Sequence, residues 1–138
     1  MGTPASCATR VRVRYADTDQ MGVVYYANYL IWFEVGRTEL LRTLGWSYRE
    51  MERAGIGLPV IEASCVYHRP ARYDDELDIQ TTGTLVSGVR MQFDYEIVRD
   101  SGGEPGGQLI VRGRTLHAAV NAQGRPSRLP VRVTELFA

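Results

Sequence analysis

The chain has 138 residues, 44% of them hydrophobic, and its sixteen basic and sixteen acidic residues cancel to a formal net charge of zero. That length fits one domain, residues 1–138, able to bury about 68–70% of its unfolded surface without disulfides or metal as staples. Charge balance excludes the basic field of a nucleic-acid binder and the polybasic segments that hold a protein to anionic lipid; all sixteen cations are Arg, which removes lysine chemistry but leaves forked phosphate binding.

Residues 1–8 read as a short flexible start, with neither the charged opening nor the apolar stretch of a signal peptide. From Arg10 to Tyr15, Arg10, Arg12 and Arg14 alternate with Val11, Val13 and Tyr15, the period-2 pattern of a half-buried strand. After the turn-prone run Asp17-Thr18-Asp19-Gln20-Met21-Gly22 the period changes. Tyr26, Tyr29, Leu30, Phe33, Leu40, Leu41 and Leu44 recur at helical spacing, and Gly45 is placed to end that helix. Ile31, Trp32 and Val35 add apolar surface on its other sides, so its first half should be wrapped by structure. The apolar segment here is interrupted by Asn28 and followed by Glu34, too short to span a bilayer.

A second, short helix is expected from Ser47 to Ala54, with Ser47 as N-cap and Glu50 completing a capping box. The remainder reads as strands. Residues 60–68 are β-rich; Leu77, Ile79, Thr81 and Leu85 alternate with polar residues; Met91, Phe93, Tyr95 and Ile97 do the same; and a longer strand covers residues 108–120. Ser87-Gly88 signals a tight hairpin, residues 101–107 a Gly-rich loop, and residues 121–124 a turn. The sum is an α+β domain, an antiparallel sheet packed on one central helix, whose open edges invite pairing with a second copy.

The stretch from Tyr15 to Tyr29 holds the densest chemistry. Two acidic residues end a strand, Gly22 lets the loop turn sharply, and a helix N-terminus follows within a few residues. Free N–H groups at a helix start, with the positive end of its dipole, bind an oxyanion, and a carboxylate beside them supplies a nucleophile or general base. On the residues alone, Asp17 or Asp19 capping the loop is an open alternative.

The same run resembles the signature of hot-dog-fold acyl-CoA thioesterases, of the 4-hydroxybenzoyl-CoA thioesterase type and its Tol-Pal-associated relatives. The matching residues are Asp17-Thr18-Asp19, Gly22-Val23-Val24-Tyr25, Asn28-Tyr29, Trp32-Phe33-Glu34, Arg37 and Glu39; Tyr67, Pro70-Ala71-Arg72 and Asp75-Glu76-Leu77 agree with that family's sheet. The resemblance implies about five antiparallel strands around a central helix, homodimers paired edge to edge and joined as dimers of dimers, and active sites at the subunit interface. It implies Asp19 as the catalytic carboxylate, Asp17 as a shaper of the loop, and the Tyr26 N–H as the oxyanion donor. Many Tol-Pal-type relatives have His at the Tyr26 position. This chain does not, but a backbone donor survives the change. Gly22, Val24, Tyr25, Asn28, Tyr29, Val60 and Tyr67 are the implied substrate-binding residues, the acyl-CoA is the substrate, and no cofactor is required.

Other candidates read more plainly. Glu34 and Arg37, three apart on the helix, fit an ion pair or an acid with its partner. His68, His117, Cys7 and Cys65 show no metal-ligand spacing, so no metal is expected. Cys7 and Cys65 read as free thiols of a reduced, cytoplasmic protein, a disulfide between them being the alternative. Arg69, Arg72, Arg90 and Arg128 are candidates for the phosphates of coenzyme A. Two other functions stay open: a hydratase or dehydratase of acyl thioesters, which would rely on His68 or His117, and a non-catalytic acyl-thioester-binding module.

Overall fold

A computed structural model describes residues 3–100 and 107–137. Five strands, β1 (Ala5–Arg12), β2 (Val60–Tyr67), β3 (Glu76–Leu85), β4 (Arg90–Arg99) and β5 (Gln108–Ala118), accompany three helices, α1 (Asn28–Thr43), α2 (Tyr48–Arg53) and α3 (Val131–Leu136). The strands form one sheet in the order β1-β3-β4-β5-β2, antiparallel at every pairing.

The alternation foreseen for β3 and β4 sets the core. Leu77, Ile79 and Thr81 of β3, and Met91, Phe93, Tyr95 and Ile97 of β4, are buried on the face that meets α1. From α1, Tyr29, Trp32, Phe33, Leu40 and Leu41 fill the space between. Phe33 lies flat on Tyr95, ring centroids 4.2 Å apart. Gly113 of β5 lets it do so, because a Cβ there would enter the Phe33 ring and come within 2.9 Å of the Ser64 carbonyl.

The outer face of the sheet uses the arginines. Arg10 pairs with Asp78 at 2.9 Å and Arg12 with Glu76 at 2.9 Å across β1 and β3; Arg112 and Glu96 at 2.7 Å, and Arg114 and Asp94 at 2.8 Å, do so across β4 and β5. Each exposed pair adds little stability, but together they explain how the zero net charge is laid out.

Several boundaries differ from those expected. β1 begins at Ala5, inside the start read as flexible, and ends at Arg12; Tyr15–Asp17 is one 3-10 turn, not the end of a strand. Ala5, Ser6, Cys7, Ala8 and Thr9 are uniformly small, so their alternation against β3 carries no hydropathy contrast. α1 starts at Asn28, two residues late, because Tyr26 and Ala27 form the turn that delivers the chain to it. Its first half is not wrapped: Leu30, Ile31 and Val35 face outward, Ile31 being 60% exposed, since β2 closes the sheet without covering them. Ser47 caps α2 by accepting from the Glu50 N–H, but Glu50 turns to Arg53, leaving half a capping box. α3 was not foreseen, and its Val133 and the following Phe137 close the core. Residues 86–89 make the β3–β4 hairpin around Ser87-Gly88; the expected Gly-rich loop of 101–107 lies, but for Gly107, outside the described residues. Both cysteines are free thiols, raised above their ordinary pKa by burial.

Candidate active site

The loop from Val13 to Ala27 is built by backbone bonds and two carboxylates. Asp17 is buried, and its carboxylate accepts from the Arg14 N–H at 2.8 Å and the Arg14 guanidinium at 2.9 Å. Burial works to raise its pKa, but these two contacts outweigh it and hold the Asp17 carboxyl below its ordinary value. The Asp17 carbonyl accepts from the Tyr25 N–H at 2.9 Å and from the Asn28 side-chain amide at 2.8 Å. Asp17 and Asn28 therefore tie the loop to the first residue of α1.

Asp19 sits two residues on, at a tight turn. Its N–H donates to the Val23 carbonyl, its carbonyl accepts from the Gly22 N–H, and Oδ1 accepts from the Met21 N–H, all at 2.9 Å. Gly22 takes φ +78° to make the turn, a conformation that glycine adopts at little cost. Asp19 Oδ2 accepts no hydrogen bond from the described residues. Isolated bridges Thr18–Val24 and Val23–Arg72, with the Val24 N–H donating to the Ala71 carbonyl at 2.8 Å, pin the loop against the segment after β2.

Ahead of α1, the N–H groups of Tyr26 and Ala27 have no backbone acceptor among the described residues. They are the unpaired donors at the positive end of the helix dipole. The Tyr67 hydroxyl donates to the Tyr26 carbonyl at 3.1 Å and so orients that peptide from β2. Burial pushes the hydroxyls of Tyr29 and Tyr67 up to about 12, so both are protonated donors at neutral pH. The Tyr67 ring sits edge-on to that of Tyr26 and tilted to that of Tyr29.

These parts meet in a groove of about 300 Å³ lined by Asp19, Met21, Val23, Val24, Tyr26, Tyr29, Tyr67, His68, Arg69 and Pro70. The sequence-predicted residues Asp19, Tyr26, Val24, Tyr29 and Tyr67 come together there. Gly22 and Tyr25 lie outside the lining, Gly22 on the loop's exposed turn and Tyr25 with its ring tilted against that of Tyr26, centroids 4.7 Å apart. Val60, seven residues along β2 from Tyr67 and so about 23 Å away, lines a second cleft with Leu30, Ile31, Glu34, Arg37, Ala63 and Thr115. Of the candidate phosphate-binding arginines, Arg69 lines the Asp19 groove. The exposed Arg72 lies beside it through the Val23 bridge, while Arg90 begins β4 at the end of the sheet remote from it, about 30 Å along the strand. Arg128 lies at that same remote end, beside Gly88.

Sequence reasoning missed Met21, Val23 and Pro70. The bridge from Val23 to Arg72 that brings them together joins segments some fifty residues apart. It also missed a buried polar chain. His117 Nδ1 is 2.8 Å from the Leu58 carbonyl, which only accepts, so Nδ1 carries the proton and Nε2 accepts from Thr115 at 2.8 Å. Thr115 in turn accepts from the Tyr95 hydroxyl at 2.6 Å, and Tyr95 from Arg37 at 3.4 Å. The signal was available: Thr115 and His117 occupy inward positions of β5.

Burial holds His117 below the ordinary imidazole pKa, and the Arg37 charge acts in the same direction. A histidine that is neutral when folded and protonated when unfolded makes the unfolded state take up protons. Stability contributed by neutral His117 is therefore complete above about pH 6.5 and is lost as pH falls below it. Urea midpoints measured from pH 8 to pH 5 should fall across that window in the wild type and less steeply in His117→Gln.

Among the described residues no group of three His, Cys, Asp or Glu is arranged to hold a metal ion, and no helix is long and apolar enough to cross a membrane.

Comparison with known proteins identifies the family and the fold. Residues 13–137 match the family model of the thioesterase-like superfamily. YneP of Bacillus subtilis is 37% identical over 113 residues, covering 82% of this chain and 78% of YneP. The acyl-CoA thioester hydrolase YbgC of Escherichia coli O6:H1 is 41% identical over 88 residues, covering 64% of this chain and 66% of YbgC. The crystal structure of a DHNA-CoA thioesterase from Staphylococcus aureus superposes with a TM-score of 0.82 at 34% identity, covering 90% of this chain and 80% of that one.

Proposed function

Because the chain belongs to the thioesterase-like superfamily and folds as a hot-dog domain, we propose that it hydrolyses acyl-CoA thioesters at the Asp19 groove, releasing a free acid and coenzyme A. The observation that carries this reading is the meeting, in one groove, of a carboxylate with an unengaged oxygen and a helix start with unengaged N–H donors.

The thioester carbonyl oxygen rests on the Tyr26 N–H, where the helix dipole stabilises the charge that develops as the carbonyl carbon becomes tetrahedral. Asp19 Oδ2 faces that carbon. It either attacks directly, forming an anhydride that water then cleaves, or takes a proton from the attacking water. In both routes the C–S bond breaks and the electron pair leaves on sulfur. A thiol of pKa about 8.5 departs without strong acid assistance, so one carboxylate and an oxyanion donor suffice, with no cofactor.

His117 cannot serve the histidine-dependent hydratase reading, since both of its ring nitrogens are engaged in the core. His68 lines the Asp19 groove, so the assay should follow alkene hydration as well as thiol release.

The exposed apolar face of α1 at Leu30, Ile31 and Val35, and the outward Val60, Ile61 and Val66 of edge strand β2, support a second copy docking there. The working form is then a homodimer, pairing further into a tetramer, and it acts in the cytoplasm. Purified protein should release thiol from at least one of a panel of short-chain, long-chain and aromatic acyl-CoAs. Stoichiometric binding without thiol release would overturn the reading in favour of a binding module.

A further inference from the structure

Three cavities follow one another along α1. At the α1 start is the Asp19 groove, between Tyr26 and Tyr29 on one side and Tyr67 on the other. Next is a cleft of about 370 Å³ between Leu30 and Ile31 of α1 and Val60 and Ala63 of β2. Last is a chamber of about 270 Å³ between Arg37, Thr38 and Leu41 of α1 and Tyr48, Leu58 and His117. The cleft and the chamber share Glu34 and Arg37 in their walls. From Tyr29 to Thr38 the path along the helix is about 14 Å.

Arg37 is the unusual wall residue. Its side chain is only 16% exposed, yet its nearest carboxylate is Glu34 at 3.8 Å, on a side chain 70% exposed. The sheet arginines, by contrast, sit 2.7–2.9 Å from their carboxylates. A guanidinium has five N–H donors, and among the described residues Arg37 makes one hydrogen bond, to Tyr95, long at 3.4 Å. The buried chain also has a direction. The Leu58 carbonyl can only accept, so every hydroxyl from His117 back through Thr115 to Tyr95 has its proton committed inward. Arg37 begins that chain as a donor and lines the chamber with N–H groups that no described residue accepts; of the other polar side chains in the wall, His117 is spent on Leu58 and Thr115, while Glu34, Thr38 and Tyr48 stand beside Arg37. Such a wall suits a ligand oxygen that accepts.

We propose that the chamber receives the far end of the acyl group and that Arg37 binds an acceptor oxygen carried there, a carboxylate or an oxo group. The enzyme then selects acyl-CoAs that are long enough to reach Arg37 and oxygenated at the far end. This rests on hydrolysis at Asp19.

The test compares kcat/KM for decanoyl-CoA, its ω-carboxy and ω-oxo counterparts, and butyryl-CoA. A charged hydrogen bond in a half-buried site predicts at least about a tenfold preference for an oxygenated chain over decanoyl-CoA. Preference for the carboxylate marks an anionic ligand, and preference for the oxo chain a neutral one. Arg37→Met should abolish the preference, with Arg37→Lys retaining part of it. Should Arg37→Met fail to fold, Leu58→Trp, which fills the chamber, should lower the ratio of oxygenated decanoyl-CoA to butyryl-CoA turnover by about tenfold. Equal rates for plain and oxygenated chains, or a preference untouched by these variants, would overturn the chamber assignment. If butyryl-CoA is hydrolysed in an Asp19-dependent way while the preference is absent, the chamber assignment alone fails; if no acyl-CoA is hydrolysed, both readings fall.

Discussion

Asp19→Asn should lower kcat for acyl-CoA hydrolysis by about 100-fold to 10,000-fold, the usual contribution of a positioned acid–base or nucleophilic group. The substitution isolates the chemistry. Asn retains an oxygen that can accept the Met21 N–H, now 2.9 Å from Asp19 Oδ1, and leaves the backbone bonds from residues 19 to 23 and 22 to 19 intact. What changes is Oδ2, which no described residue engages and which becomes an amide that neither attacks a carbonyl nor takes a proton from water. Thermal midpoint and far-UV circular dichroism should stay at their wild-type values while thiol release collapses. Asp17→Asn is the instructive contrast. It weakens the Arg14 contacts that hold Asp17 below its ordinary pKa, so it should loosen the loop and lower stability as well as rate.

Phe33→Ala carries the largest expected effect on stability, about 3–5 kcal/mol. Phe33 is fully buried, stacks on Tyr95 with planes 7° apart, and fills the hollow that Gly113 leaves in β5. Removing the ring opens a void between α1 and the middle of the sheet that Gly113 cannot fill. Since a domain of this kind is stable by only about 5–15 kcal/mol, the urea midpoint should fall by a large fraction of its value. A loss below about 1 kcal/mol would mean that α1 is not seated on β4 and β5 in this way.

The centre of this fold could be read from the chain because its contrast is strong. β3 and β4 alternate cleanly, and each residue named as inward there is buried except Leu85, which is only partly so. What escaped has a common cause. β1 opens on small residues whose faces differ little in hydropathy, and its pairing with β3 spans about seventy residues. α3 is too short to show a period, and it is held by burying Val133 and Phe137 against the core.

Burial around α1 was misjudged for a different reason. Apolar residues on every side suggest a wrapped helix, but a single chain leaves Leu30, Ile31 and Val35 bare. The same limit applies to the site. Asp19, Tyr26 and Tyr29 lie close in sequence and meet in space, whereas Val60 and Tyr67, both implied as substrate-binding by the resemblance, line separate cavities because an extended strand carries them apart. Four of the sixteen arginines, open to phosphate binding by composition, are spent on carboxylates across the sheet, and the contrast with those tight pairs is what makes Arg37 visible.

The most direct test of the central claim is a crystal structure of Asp19→Asn with an acyl-CoA analogue in which a methylene is inserted before the sulfur, leaving the carbonyl but no cleavable C–S acyl bond. The carbonyl oxygen should lie about 2.7–3.1 Å from the Tyr26 nitrogen, with the residue 19 side chain against the carbonyl carbon. A carbonyl held away from both, with the acyl chain elsewhere than in the groove at the start of α1, would contradict the account.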